Sequence, residues 1–79
     1  MVEVKVLGPG CRNCQRLYAV VAEAVRELGL AVEVEKVEDL GRILSFGVMS
    51  TPALVVGGRV VVAGRVPGKD EVKKLLQGT

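Results

Sequence analysis

The sequence predicts an α/β domain built on a four-stranded mixed sheet, and three observations carry that reading. Stretches with apolar residues at every second position alternate with stretches whose apolar residues recur every three or four. The two kinds follow one another in the order strand, helix, strand, helix, strand, strand, helix. A Gly-Gly pair separates the last two strands, the spacing of a tight hairpin.

Val2, Val4 and Val6 alternate with Glu3 and Lys5 before the breakers Gly8-Pro9-Gly10, which defines a first strand β1 over residues 2–6. From Arg12 to Leu28 the residues Leu17, Val21, Ala24, Val25 and Leu28 line one face of a helix α1, and Gly29 is a natural stop. Residues 30–37 alternate through Leu30, Val32 and Val34 against Glu33 and Glu35, a second strand β2. Strand, helix and strand in succession form a βαβ unit, whose strands should be parallel with a right-handed crossover.

Residues 38–46 read as a short helix α2 carrying Leu40, Ile43 and Leu44 on one side. Residues 53–56 (β3) and 59–63 (β4) flank Gly57-Gly58 and should pair antiparallel. Residues 70–77 form the last helix, α3, with Val72, Leu75 and Leu76 on one face and Asp70 and Glu71 in the first turn, where the helix dipole favours acids. The expected spatial order is β2-β1-β3-β4, with α1 and α3 on one face of the sheet and α2 on the other.

With 79 residues the chain has room for one domain, residues 1–79, and one core. A chain this short buries only about 60% of the surface it exposes when unfolded, so its 49% of apolar residues must be packed efficiently. They are dominated by Val, Leu and Ala, with Tyr18 and Phe46 the only aromatics. Eleven Lys and Arg against nine Asp and Glu leave a net charge of +2 without a basic block. That distribution lacks the basic stripe and stacking aromatics of a nucleic-acid binder. No apolar run approaches the roughly 20 residues that span a bilayer, and the start lacks the pattern of a signal peptide. The expectation is a cytoplasmic protein with neither nucleic acid nor membrane as partner.

Cys11 and Cys14 are the only cysteines. Cytosolic thiols are kept reduced, and the loop between these two is too short for a bridge to remove much chain entropy. Such a disulfide is a poor staple and a plausible reactive one. Thiol-disulfide exchange needs an exposed, partly ionised thiol to attack and a second to resolve the mixed disulfide. Cys11 sits where a loop meets α1, beside unpaired backbone N–H groups and the positive end of the helix dipole. Cys14 lies about one turn inside, in line with Leu17 and Val21 on the apolar stripe. Cys11 is therefore the expected nucleophile and Cys14 the shielded resolver. The bland alternative is two small buried hydrophobes that happen to lie three apart.

Ser50-Thr51-Pro52 stands immediately before β3, where proline cannot donate to the ladder. A cis Thr51-Pro52 bond would turn the Thr51 backbone toward an extended substrate, although cis is only about 5–6% of X–Pro bonds and a trans proline opening a strand is the simpler reading.

Together, the CxxC after β1, the run Val48-Met49-Ser50-Thr51-Pro52-Ala53-Leu54, the Gly-Gly hairpin, Gly64 and the terminal helix resemble the thioredoxin superfamily. The likeness spans essentially the whole chain and is closest to its short, glutaredoxin-sized members in bacteria and archaea. The resemblance implies a thioredoxin fold and a thiol-disulfide oxidoreductase in which Cys11 attacks and Cys14 resolves. It also implies that Pro52 is a cis-proline and that Thr51 offers backbone hydrogen bonds to the substrate. The implied partners are a protein disulfide and a thiol or reductase as electron donor, with no cofactor beyond the Cys11-Cys14 disulfide.

The sequence also departs from that pattern. Arg12-Asn13 stand where thioredoxins carry Gly-Pro, there is no Trp, and Lys5 occupies the stretch that holds a buried acid in thioredoxins. Arg12 and Lys5 are candidates for electrostatic support of a thiolate; the alternative for each is a solvated side chain. Two other readings stay open. A CxxC between β1 and α1 also presents two thiolates to Cu(I) in small carriers of ferredoxin-like fold, although those chains run βαββαβ and end on a strand. No His and no third Cys exist to complete a structural zinc site within the chain. The same groove in a non-catalytic interaction module would hold a partner without turnover.

Overall fold

The computed structural model describes residues 3–10 and 12–77. Its elements are β1 (Val4–Leu7), α1 (Arg12–Leu28), β2 (Val34–Val37), α2 (Leu40–Ser45), β3 (Ala53–Val56), β4 (Arg59–Ala63) and α3 (Lys69–Gln77). They build one sheet in the order β2-β1-β3-β4. β1 runs parallel to β2 and antiparallel to β3, and β3 runs antiparallel to β4. This is the thioredoxin topology anticipated from the sequence.

Side-chain alternation divides the core between the two faces of the sheet. Val4 and Val6 of β1, with Leu54 and Val56 of β3, meet Leu17, Val21, Ala24 and Val25 of α1 and Val72 and Leu76 of α3. The opposite face brings Leu7, Val37, Ala53 and Val55 against Ile43 of α2. β3 is central and both its faces are covered, so all four of its residues are buried. That is why Ala53-Leu54-Val55-Val56 is continuously apolar rather than alternating.

Local chemistry sets the ends of the elements. At the close of α1 the Gly29 N–H donates to the Arg26 carbonyl and the Leu30 N–H to the Val25 carbonyl, with Gly29 at φ 67°. This is the Schellman arrangement, which needs a left-handed residue at the glycine. β2 is shorter than the expected 30–37. Val4 partners Val34, and Glu3 is already outside the ladder, so residue 33 has no partner although Val32 still packs on the core. α2 starts later than expected because the Asp39 carboxylate accepts from the Arg42 N–H at 2.9 Å and caps the helix there. In the β3–β4 hairpin Gly57 and Gly58 both have positive φ, 62° and 80°, as a type I′ turn requires.

Candidate functional site

The site is assembled where β1 and β3 end and α1 begins. Extending the register by one step beyond Leu7↔Val37 and Leu7↔Ala53 sets Gly8 between residue 38 and Pro52. One step beyond Ala53↔Ala63 sets Pro52 opposite Gly64, and the Gly64 N–H donates to the Pro52 carbonyl at 2.8 Å. Glu38, Gly8, Pro52 and Gly64 thus form a transverse row across the top of the sheet. The Gly8 N–H donates to the Val37 carbonyl at 2.9 Å, which ties this row to β2. The Thr51-Pro52 peptide is cis; Pro52 is buried and Thr51 is exposed.

Cys14 enters this row from α1. It lies in the first turn of the helix, is only 5% exposed, and is disulfide-bonded. A Cβ built on Gly8 would lie 2.3 Å from its Sγ, so the sulfur occupies the space that any side chain at residue 8 would need. Cys11, the expected nucleophile, lies outside the described residues. Arg12 opens α1 and is exposed, and no acid stands in that first turn to oppose the positive end of the helix dipole.

Lys5 is elsewhere. Alternation along β1 puts Val4, Val6 and Gly8 toward α1, and Lys5 with Leu7 toward the α2 side. The Lys5 ammonium is 3.1 Å from Glu3 and 3.8 Å from Glu35, which hold it at the open end of that other face. The expectation that Lys5 supports a thiolate is therefore corrected, because the sheet itself stands between this cation and Cys14.

A small open cavity that no sequence motif marks lies beside the sulfur. It measures about 170 Å³ and is lined by Val6, Gly8, Gly10 and Cys14 on one side, with Gln15, Lys36 and Glu38 supplying the polar groups. The Gln15 side-chain amide donates to the Gly10 carbonyl at 3.3 Å. The Lys36 ammonium sits 4.4 Å from the centre of the Tyr18 ring, a cation–π distance. Lys36 and Glu38 alternate with Val37 and so share the α1 face with Val34. That alternation is visible in the sequence, but only the β1–β2 register carries Glu38 to the side of Gly8.

Comparison with known proteins gives a consistent result. A family model described as Thioredoxin domain matches residues 2–77. The chain is 42% identical over 76 residues to a thioredoxin of Methanothermobacter thermautotrophicus, covering 96% of this chain and 99% of that one. To a thioredoxin of Methanocaldococcus jannaschii it is 35% identical over 77 residues, covering 98% and 88%. Among solved structures it is similar to a thioredoxin-2 described as a component of the malaria parasite protein secretion machinery. That match has a TM-score of 0.77 at 14% identity and covers all of this chain and 84% of the other, a likeness of fold alone.

Proposed function

The chain belongs to the thioredoxin family and is a thiol-disulfide redox protein of thioredoxin type, and from that premise we propose that Cys11 and Cys14 are its redox couple. In this reading the Cys11 thiolate attacks a substrate disulfide, forming a mixed disulfide and releasing one substrate thiolate. Cys14 then attacks the Cys11 sulfur. The Cys11–substrate bond breaks, the second substrate sulfur leaves with the electron pair, and the protein is left as the Cys11-Cys14 disulfide.

One observation carries the reading: Cys14 is disulfide-bonded while buried in the first turn of α1, against the Gly8–Pro52 row. A shielded sulfur at a helix start suits the resolving role, and the helix dipole favours negative charge at that end. Thr51 is exposed and precedes the cis-proline, and in this reading its backbone meets an extended peptide. Met49, two residues earlier, is 97% exposed and gives a protein substrate an apolar contact beside the site. We assign the substrate to the class of protein disulfides and the electron donor to a thiol or a reductase. The Cu(I)-carrier alternative drew on a CxxC between β1 and α1 in chains of order βαββαβ; the order of elements here is βαβαββα.

The test is a disulfide-reduction assay on the wild type, Cys11→Ser and Cys14→Ser. Turnover should vanish without Cys11, and the protein lacking Cys14 should accumulate a mixed disulfide with substrate, visible by mass. Tight Cu(I) binding by a wild type without reductase activity would overturn the proposal.

A further inference from the structure

We propose that Met49 is a modification site: hydroperoxides convert its thioether to the sulfoxide, and the added oxygen slows the capture of protein disulfides beside it. This rests on the reading of Cys11 and Cys14 as the redox pair. Met49 is 97% exposed, the most open of the large apolar side chains among the described residues. The others that reach solvent, Leu30, Leu40, Leu44 and Val60, are saturated hydrocarbon and inert to peroxide. Cys14 is 5% exposed and disulfide-bonded, so in the oxidised protein its sulfur offers peroxide no thiolate.

That exposure is held in place from both sides. Before Met49, Val48 is buried in the core on the α2 face of the sheet. After it, the Ser50 Cβ lies 3.0 Å from where a Cβ on Gly64 would stand, and the buried Pro52 accepts from the Gly64 N–H at 2.8 Å. With its neighbours anchored, Met49 is the residue that this segment turns to solvent. It stands three positions before the cis-proline, within about 11 Å of Pro52 even along a fully extended chain. A substrate strand advances about 3.3 Å per residue, so side chains three or four residues from the substrate cysteine reach the thioether. An apolar group on this spot serves the capture of a protein; a small disulfide has nothing to lay against it.

The oxidant is a hydroperoxide. The Met49 sulfur attacks its terminal oxygen, a sulfur–oxygen bond forms and the O–O bond breaks. The proton on the transferred oxygen moves to the leaving oxygen, which departs as water or an alcohol. Sulfur loses two electrons and the peroxide gains them. The product is polar where the thioether was apolar, and a partner that covers it must strip water from the new oxygen. Methionine sulfoxide reductases restore the thioether, so peroxide tunes the choice of substrate without consuming the cysteines.

The test treats the disulfide form with hydrogen peroxide, which spares the paired cysteines, and locates the added oxygen by peptide mass. After removal of the peroxide and reduction of the disulfide, rates are measured with insulin as a protein disulfide and with dithionitrobenzoate as a small one. Met49 should gain one oxygen, and insulin reduction should slow about 3- to 10-fold, the loss expected when part of a methionine's burial is forfeited. The reaction with dithionitrobenzoate should change less than about twofold. Met49→Gln should show the slower insulin reduction without peroxide, and Met49→Leu, which keeps an apolar side chain, should lose the response to peroxide. A Met49 that stays unoxidised, an equal slowing with both disulfides, or the same response in Met49→Leu would overturn the proposal. An untreated wild type that reduces neither disulfide would instead remove the redox-pair reading beneath it.

Discussion

Replacing Gly8 by alanine places a methyl carbon 2.3 Å from the Cys14 Sγ and 2.9 Å from its Cβ, where ordinary contact begins at 3.4 Å. The backbone is not the obstacle, because Gly8 is absent from the glycines with positive φ. Elsewhere a tolerated Gly→Ala change stabilises by about 0.4–1 kcal/mol through the unfolded chain, so geometry alone predicts a change of sign at this position. Relieving the overlap moves the first turn of α1 off the sheet by more than about 1 Å, and overpacking of this kind costs about 1–3 kcal/mol. The expected net loss is about 1–2 kcal/mol. In the disulfide the sulfur is pinned, whereas a thiol is free to turn to another staggered rotamer. The oxidised form should therefore suffer more, and the reduction potential should rise by about 30 mV for each 1.4 kcal/mol of that difference. Urea unfolding of both redox forms, with a titration against a thiol buffer, measures the two quantities. An alanine variant as stable as the wild type when oxidised, at an unchanged potential, would refute the packing argument.

Leu17→Ala empties a fully buried position between α1 and the sheet, and should cost about 2–5 kcal/mol of a total of roughly 4–12 for a chain of this length; the urea midpoint reports it. Glu27 accepts hydrogen bonds from Lys69 and Lys73 of α3, chiefly these contacts lowering its pKa from 4.5 to about 2. A carboxylate depressed on folding stabilises above its unfolded value, so this contribution should be complete above about pH 4.5 and disappear as pH falls through about 2. Thermal unfolding across that window should be flatter in Glu27→Gln, and a matching slope would count against the network. Lys5→Gln should change the thiol capture rate by no more than about twofold, because Lys5 lies on the α2 side of the sheet beside Glu3 and Glu35; a slower capture would restore Lys5 as a support for the thiolate.

Most of the fold was legible because local signals agreed with one another. Gly29 after the α1 stripe, Gly57-Gly58 between two apolar runs, and acids at the start of α3 each mark an end that the structure reproduces. β2 was legible in its burial and shorter in its described pairing than its apolar pattern: Val32 packs on the core, while the described ladder with β1 runs from Val4↔Val34 to Leu7↔Val37. At the site, the placement of Cys14 on the buried stripe followed from helical spacing alone. Lys5 was ambiguous because β1 is an interior strand with apolar residues on both faces, and only the position of α1 decides which face meets the sulfur. Glu38 was invisible for a related reason. Read along the chain it begins a helix, and it reaches Gly8 only through a parallel register closed across the whole of α1.

The most direct test of the central claim is a redox titration of the wild-type protein in thiol buffers, quenched by alkylation and counted by mass. The account predicts a single reversible transition in which both thiols appear together, following the two-electron slope of about 29.6 mV per tenfold change in ratio. Thiols that titrate independently, or a Cys14 disulfide that no buffer opens reversibly in the folded protein, would contradict it.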